Sequence, residues 1–214
     1  MAYDVFLFDL DGTLTDSSVG ITKSVIYALK KYGIEEEDQK KLYAFIGPPL
    51  TESFQKFYGF SAEQSIEAVE YYREYYREIG IFENKVYEGM KETLRQLKEK
   101  GKRLMVATSK PEPFARRIIR HFGLASYFEY VAGMELDGGR GTKAEVIAYA
   151  LQSCGIDDRG KTVMVGDREH DVIGAKKEGL DCIGVLYGFG SREELEKAGA
   201  DWIIEKPEEL CELA

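Results

Sequence analysis

Residues 3–15 read YDVFLFDLDGTLT. The run from Tyr3 to Leu10 is short, aromatic and almost wholly apolar, the pattern of a strand buried on both faces. Asp9 and Asp11 stand two apart where that strand runs out, so their side chains start on one face. Gly12 then lets the chain turn sharply away. Similar apolar runs follow at Arg103 to Ser109 (RLMVATS), Tyr130 to Ala132, Thr162 to Gly166 (TVMVG), Asp181 to Val185 (DCIGV) and Asp201 to Ile204 (DWII).

Amphipathic helical patterns lie between these runs. Gly89 to Lys100 carries Met90, Leu94 and Leu97 at helical spacing, and Gly101 stops it. Pro111 to Phe122 opens on a proline suited to a first helical turn. Thr142 to Cys154 opens T-K-A-E and Ser191 to Ala198 opens S-R-E-E, both resembling capping boxes. Strands alternating with helices of this length predict βαβ units in a parallel sheet, an α/β fold. From about Thr15 to Val86 the alternation fails, and Val19 to Lys31, Thr51 to Tyr58 and Ala62 to Glu78 carry helical periodicity. The stripe Tyr72, Tyr75 and Tyr76 in the last of these reads as a helical-bundle core, with a direct substrate role as the alternative. The expected organisation is a sheet core over 1–14 and 87–214 with a helical domain inserted at 15–86.

The bulk composition narrows the function. The chain has 214 residues, 44% hydrophobic and 12% aromatic, which suits a globular protein with a real core. A formal charge of −9 argues against a nucleic-acid polymer as partner, because such a partner demands a basic face. A small anionic substrate stays compatible with it, since a pocket can be locally positive on an acidic protein. Cys154, Cys182 and Cys211 form no C-x-x-C pair and read as reduced thiols. No apolar stretch approaches a membrane span and no signal peptide is read, so a cytoplasmic location is expected.

Three further features fall at the ends of predicted strands or the starts of helices. Thr108-Ser109 closes the RLMVATS strand, where a hydroxyl and backbone N–H groups can hold a phosphate oxygen beside the helix that starts at Pro111. A loop or helix-capping hydroxyl is the alternative there. Lys143 starts a helix after the turn GGRGT, where a cation opposes the macrodipole unless an anion sits between them; a solvated lysine is the alternative. VMVGDREHD delivers Asp167 after an apolar strand and Asp171 four residues later. Together with Asp9, Asp167 offers the hard oxygen ligands that magnesium takes. Capping aspartates are the plainer reading of each carboxylate alone.

The order D-L-D-G-T, strand-Thr-Ser, helix Lys and G-D-x-x-x-D resembles the four motifs of the haloacid dehalogenase superfamily, over essentially the whole chain. Within it the chain looks similar to the phosphoglycolate phosphatase and 5′-nucleotidase-like branch, which also shows Asp16-Ser17 after the first motif. The resemblance implies a Rossmann-like, doubly wound parallel sheet with an all-helical cap, and a phosphatase of small phosphorylated metabolites. It implies Asp9 as nucleophile, forming an aspartyl-phosphate, and Asp11 as general acid/base. It implies Mg2+ held by Asp9, the backbone carbonyl of Asp11, and Asp167, with Asp171 orienting metal-bound water and Lys143. Thr108, Lys143 and the backbone of Ser109 are implied phosphate ligands.

The electrostatics show why these parts must meet. Two unit charges ~4 Å apart at an effective dielectric of ~20 interact by roughly 4 kcal/mol, so a carboxylate nucleophile needs a cation beside it to approach a phosphate. In the inserted domain Ala44 to Leu50 reads AFIGPPL. In related enzymes this loop selects the leaving group, so Phe45, Ile46, Gly47 and Pro48 are expected either to face substrate or to form a helix–helix turn. The linkers at 14–18 and 80–88 are expected hinges. Lys23 is expected to be solvated or to meet a substrate anion, while Lys110 and Arg168 add positive charge to the rim. Asp11 disfavours a dehalogenase and the lysine-free cap loop disfavours a phosphonatase. A sugar phosphomutase and a catalytically silent phosphate-binding module stay as rivals, and the sequence does not give the oligomeric state.

Overall fold

The computed structural model describes residues 2–136 and 139–214. The chain divides into two compact units, one running up to Asp16 and resuming over Val86–Ala214, the other spanning Ser17–Lys85.

The first unit is built on a parallel sheet. Strand β1 is Val5–Phe8, and the short β2, Thr15–Asp16, pairs with β3, Lys85–Val86. Helix α1 (Ser18–Lys31), α2 (Leu50–Tyr58) and α3 (Ala62–Glu78) come between β2 and β3. Then follow α4 (Met90–Glu99), β4 (Arg103–Pro111), α5 (Glu112–His121), β5 (Tyr130–Met134), α6 (Lys143–Ser153), β6 (Thr162–Gly166), α7 (Glu169–Lys177), β7 (Asp181–Val185), α8 (Arg192–Ala198) and β8 (Trp202–Ile204). The main sheet has the order β5-β4-β1-β6-β7-β8, with every pair parallel.

Every residue of β1 is buried, as its unbroken apolar run requires. Alternation sends Val5 and Leu7 into a core shared with Val146, Ile147 and Ala150 of α6 and Val172 and Ala175 of α7. Phe6 and Phe8 take the other face, their rings 6.3 Å apart, and Phe8 meets Phe128 edge-on at 6.0 Å. Each buried phenylalanine contributes about 1.5–3 kcal/mol, which fixes β1 at the centre of the sheet. After β1 the chain builds outward through β4 and β5, then returns to the opposite side of β1 with β6. The reversal leaves a crevice beyond the carboxyl ends of β1 and β6, where open α/β sheets bind ligands.

Two details differ from the sequence-based expectation. The strand begun at Arg103 runs past Ser109 to Pro111, and its pairing with β5 shifts register between Thr108 and Pro111. This is a bulge, which bends a strand and re-aims its side chains. The second concerns caps. Thr142 and Glu145 form the full reciprocal box that starts α6. Ser191 accepts from Glu194 N–H, but the Glu194 carboxylate turns away to Arg168 Nε and Glu169 N–H.

The helical unit has its own core. Tyr72 and Tyr76 are buried and stack at 5.2 Å, whereas Tyr75 is half-buried and donates its hydroxyl to Glu83. Lys23 pairs with Glu83 inside this unit. Phe45 ends a short turn at Lys41–Phe45, and its ring lies 5.1, 5.6 and 6.0 Å from those of Phe54, Phe57 and Tyr58. Ile46 is fully buried, Gly47 carries a positive φ of 106°, and Pro48 is half-buried.

Candidate active site

Asp9 is the residue after β1 and Asp167 the residue after β6, and these strands are neighbours. Asp9 N–H still donates to Val165 O at 2.9 Å, so the sheet ladder itself fixes where that carboxylate begins. Asp171 lies in the first turn of α7. Carboxylate oxygens of Asp9, Asp167 and Asp171, all buried, lie within 4.8 Å of one another. Lys143, from the start of α6, reaches the same point: its Nζ lies 3.0 Å from Asp9 Oδ1, 2.8 Å from Asp171 Oδ1 and 3.1 Å from Ala107 O. The solvated alternative for Lys143 therefore fails, since the residue is only 6% exposed. Of the turn before it, GGRGT, Gly138 lies outside the described residues.

Charge in this cluster is unbalanced. Burial disfavours the Lys143 ammonium, yet Asp171 and Asp9 outweigh burial and raise its pKa above the ordinary lysine value. Burial, reinforced by Asp171 and Asp9, pushes the Asp167 carboxyl well above the usual range, against the Phe189 N–H donation that favours its anion. Burial likewise raises Asp171, and Lys143 draws it only part of the way back. One ammonium facing three buried carboxylates leaves negative charge uncompensated. All three offer hard oxygen donors, so the set fits a divalent cation, with Asp9, Asp167 and Asp171 able to hold it.

The chain is packed closely around these carboxylates. Asp167 Oδ2 accepts from Phe189 N–H at 2.8 Å and Oδ1 from Thr13 Oγ1 at 3.3 Å. Gly12 turns away from the strand with φ 83°, and a Cβ there would fall 2.2 Å from Asp167 Oδ2. A Cβ on Gly188 would fall 2.4 Å from Asp167 Cβ. Both glycines are required by space, and Gly12 by backbone angle as well. The sequence reading assigns no site role to Thr13 or Phe189; for Phe189 the available signal is the GFG triplet at 188–190, which follows the end of β7 after Leu186 and Tyr187.

Asp11 takes a different partner. Its side chain does not join the three-carboxylate group: Oδ2 lies 2.6 Å from Lys110 Nζ, and Oδ1 is buried without a hydrogen-bond partner among the described residues. Lys110 was foreseen only as a contribution to rim charge, whereas its side chain is 6% exposed. Lys110 sits in the β4 bulge, where its N–H donates to Thr108 Oγ1 at 3.2 Å. With a lone pair so occupied, the buried Thr108 hydroxyl has its own O–H to donate. Ser109 follows it in the bulge and is half-buried. Arg168 pairs with Glu194, and His121 and His170 are both exposed. The three cysteines are free.

A parallel α/β sheet whose switch point gathers three buried aspartates and a lysine defines a candidate site for a divalent cation. The model of the haloacid dehalogenase-like hydrolase family matches residues 6–185. A 5′-nucleotidase from Pseudomonas aeruginosa is 49% identical over 195 residues, covering 91% of this chain and 88% of that protein. The crystal structure of a predicted phosphatase from Clostridium acetobutylicum superposes with a TM-score of 0.94 at 51% identity, covering 99% of this chain and 98% of that one. The tyrosine-protein kinase PtkA of Mycobacterium tuberculosis is 44% identical over 193 residues, 89% of this chain but 65% of that protein, so the chain spans less than two thirds of its length. The chain belongs to the haloacid dehalogenase-like hydrolase family, and within it stands with the phosphatases. Among the described residues no helix is long and apolar enough to cross a membrane.

Proposed function

We propose that this chain is a magnesium-dependent phosphomonoesterase of nucleoside 5′-monophosphates, with Asp9 as nucleophile and Asp11 as general acid/base. The observation that carries the reading is the meeting of Asp9, Asp167 and Lys143 at the β1/β6 switch point, where Lys143 also reaches the carbonyl of Ala107, the residue before Thr108 in β4. The nucleotide preference is supported by 49% identity to a 5′-nucleotidase along nearly the full length of both chains.

In the first step an Asp9 oxygen attacks phosphorus, the bond to the ester oxygen breaks, and that oxygen leaves with a proton from Asp11. Leu10 N–H, at 2.7 Å, and Lys143 hold Asp9 Oδ1 in place, so the nucleophile is oriented before substrate arrives. The Thr108 hydroxyl and Ser109 backbone would receive phosphate oxygens, and the Lys143 charge would draw the phosphate toward Asp9. In the second step water attacks the aspartyl-phosphate and gives its proton to Asp11, which releases phosphate and restores Asp9. Magnesium, held by Asp9, Asp167 and the Asp11 carbonyl with Asp171 supporting, would offset the charge of the phosphate and of the transition state.

The test is a panel of phosphate esters ranked by kcat/KM, run with magnesium and with a chelator, on the wild type and Asp9→Asn. Nucleoside 5′-monophosphates should head the ranking, and Asp9→Asn should release no phosphate while melting as a folded protein. Undiminished turnover by Asp9→Asn removes Asp9 from the mechanism. Preference for phosphoglycolate, or interconversion of hexose phosphates, removes the nucleotide assignment.

A further inference from the structure

We propose that Lys110 is a positioning residue for proton transfer at Asp11: it anchors one carboxylate oxygen and thereby presents the other to the ester. The inference rests on the acid/base role of Asp11 and adds to it a residue and an assignment of the reacting atom. Lys110 Nζ stands 2.6 Å from Asp11 Oδ2, with the two side chains 6% and 12% exposed. Asp11 Oδ1, buried and without a hydrogen-bond partner among the described residues, is the oxygen left to act. A buried acceptor left unpaired is costly, and such atoms belong where a partner arrives with the ligand.

The β4 bulge is what brings Lys110 inward. Between Thr108 and Pro111 the register against β5 slips. The slip depends on Gly133 of β5, where a Cβ would fall 2.5 Å from Lys110 O. Within the bulge the Lys110 N–H orients the Thr108 hydroxyl, and its ammonium orients Asp11. One residue thus registers the phosphate-binding hydroxyl against the proton donor.

As the Asp9–phosphorus bond forms and the phosphorus–ester bond breaks, the proton on Asp11 Oδ1 passes to the ester oxygen. The carboxylate left behind is anionic, and the ammonium already beside Oδ2 attracts it most strongly at that moment. An interaction that strengthens toward the transition state lowers the barrier. When the aspartyl-phosphate bond is later broken by water, Oδ1 takes the proton from that water.

The experiment compares two esters in Lys110→Met: the best alkyl phosphate of the wild-type panel, whose oxygen must be protonated to leave, and 2,4-dinitrophenyl phosphate, whose leaving group departs as a stable anion. The kcat/KM reads only the steps up to loss of the leaving group when hydrolysis of the intermediate follows irreversibly. It should fall about 100-fold for the alkyl ester and less than about threefold for the aryl ester. For the aryl ester kcat and KM should fall together, because breakdown of the intermediate still needs Asp11. Equal losses on the two esters, or no loss on either, overturn the proposal. Lys110→Arg, which keeps a cation, should retain alkyl turnover within about tenfold of wild type. If the methionine variant does not fold, Lys110→Gln against Lys110→Arg gives the same comparison. Asp11→Asn is measured alongside. If it turns over the alkyl ester normally, the acid/base role fails and Lys110 falls with it; if it is dead while Lys110→Met is unimpaired, only the Lys110 inference is lost.

Discussion

Lys143 is the residue on which the most buried charge converges. Its ammonium is matched to Asp9, Asp171 and the Ala107 carbonyl, so a neutral side chain there strands two carboxylates at once. Removing one partner of a buried ion pair costs about 3–5 kcal/mol, because the charge left behind cannot reach water. Lys143→Met should therefore unfold at lower denaturant by about that amount in the absence of metal and lose turnover altogether. Equilibrium denaturation with a chelator present measures it, and a loss below about 1 kcal/mol would mean that Lys143 does not carry this charge. Lys143, Asp9, Asp167 and Asp171 were all legible in the sequence, because each stands at a strand end or helix start that the apolar periodicity marks. Lys110 was visible as a residue but not as a partner of Asp11. Spacing alone gives the direction of a side chain only while a strand keeps its alternation, and Lys110 lies where that alternation breaks.

At the level of elements, the caps and strand ends were the legible part. Thr142 and Glu145 close a full box that starts α6, which sets Lys143 at the first helical position. The similar S-R-E-E signal at Ser191 gave the helix start but half the box, since Glu194 found a stronger partner in Arg168 from another element. The β4 bulge was not legible from RLMVATSKP, but Gly133 inside the β5 run was its mark, as a strand glycine often signals close backbone approach. Its Cβ would also fall 2.7 Å from Glu112 N and Cα, so the backbone of the bulge must move to admit it. Gly133→Ala should cost about 1–3 kcal/mol of stability through overpacking. It should lower kcat/KM by about 100-fold, because Thr108 and Lys110 move with the bulge. Thermal melts and initial rates on the same preparation test this; a stable variant with wild-type rates would separate the bulge from the site.

Across the whole molecule, alternation of strand and helix gave a parallel sheet, but not the lateral order of its strands, which depends on pairing between segments far apart in the chain. The observed order β5-β4-β1-β6-β7-β8 is what makes Asp9 and Asp167 neighbours although 158 positions separate them (167 − 9). Their adjacency has a thermodynamic consequence for the protein without metal. Burial first, then mutual repulsion, raises Asp167, and burial raises Asp171, above ordinary carboxylate values. The folded chain then binds these protons more tightly than the unfolded chain, so metal-free stability falls as pH rises from the ordinary carboxylate range through the raised folded values. A divalent cation needs those carboxylates ionised, so its stabilisation grows over the same interval. At a hundred times its dissociation constant the cation contributes about 2.7 kcal/mol, a rise of roughly 5–10 °C in Tm for a chain of this size. Melting curves with magnesium and with a chelator should therefore diverge as pH is raised from about 5 to about 8. Asp167→Asn should close the gap while raising the metal-free Tm. A gap that stays constant with pH, or that survives in Asp167→Asn, would place the cation somewhere other than among Asp9, Asp167 and Asp171.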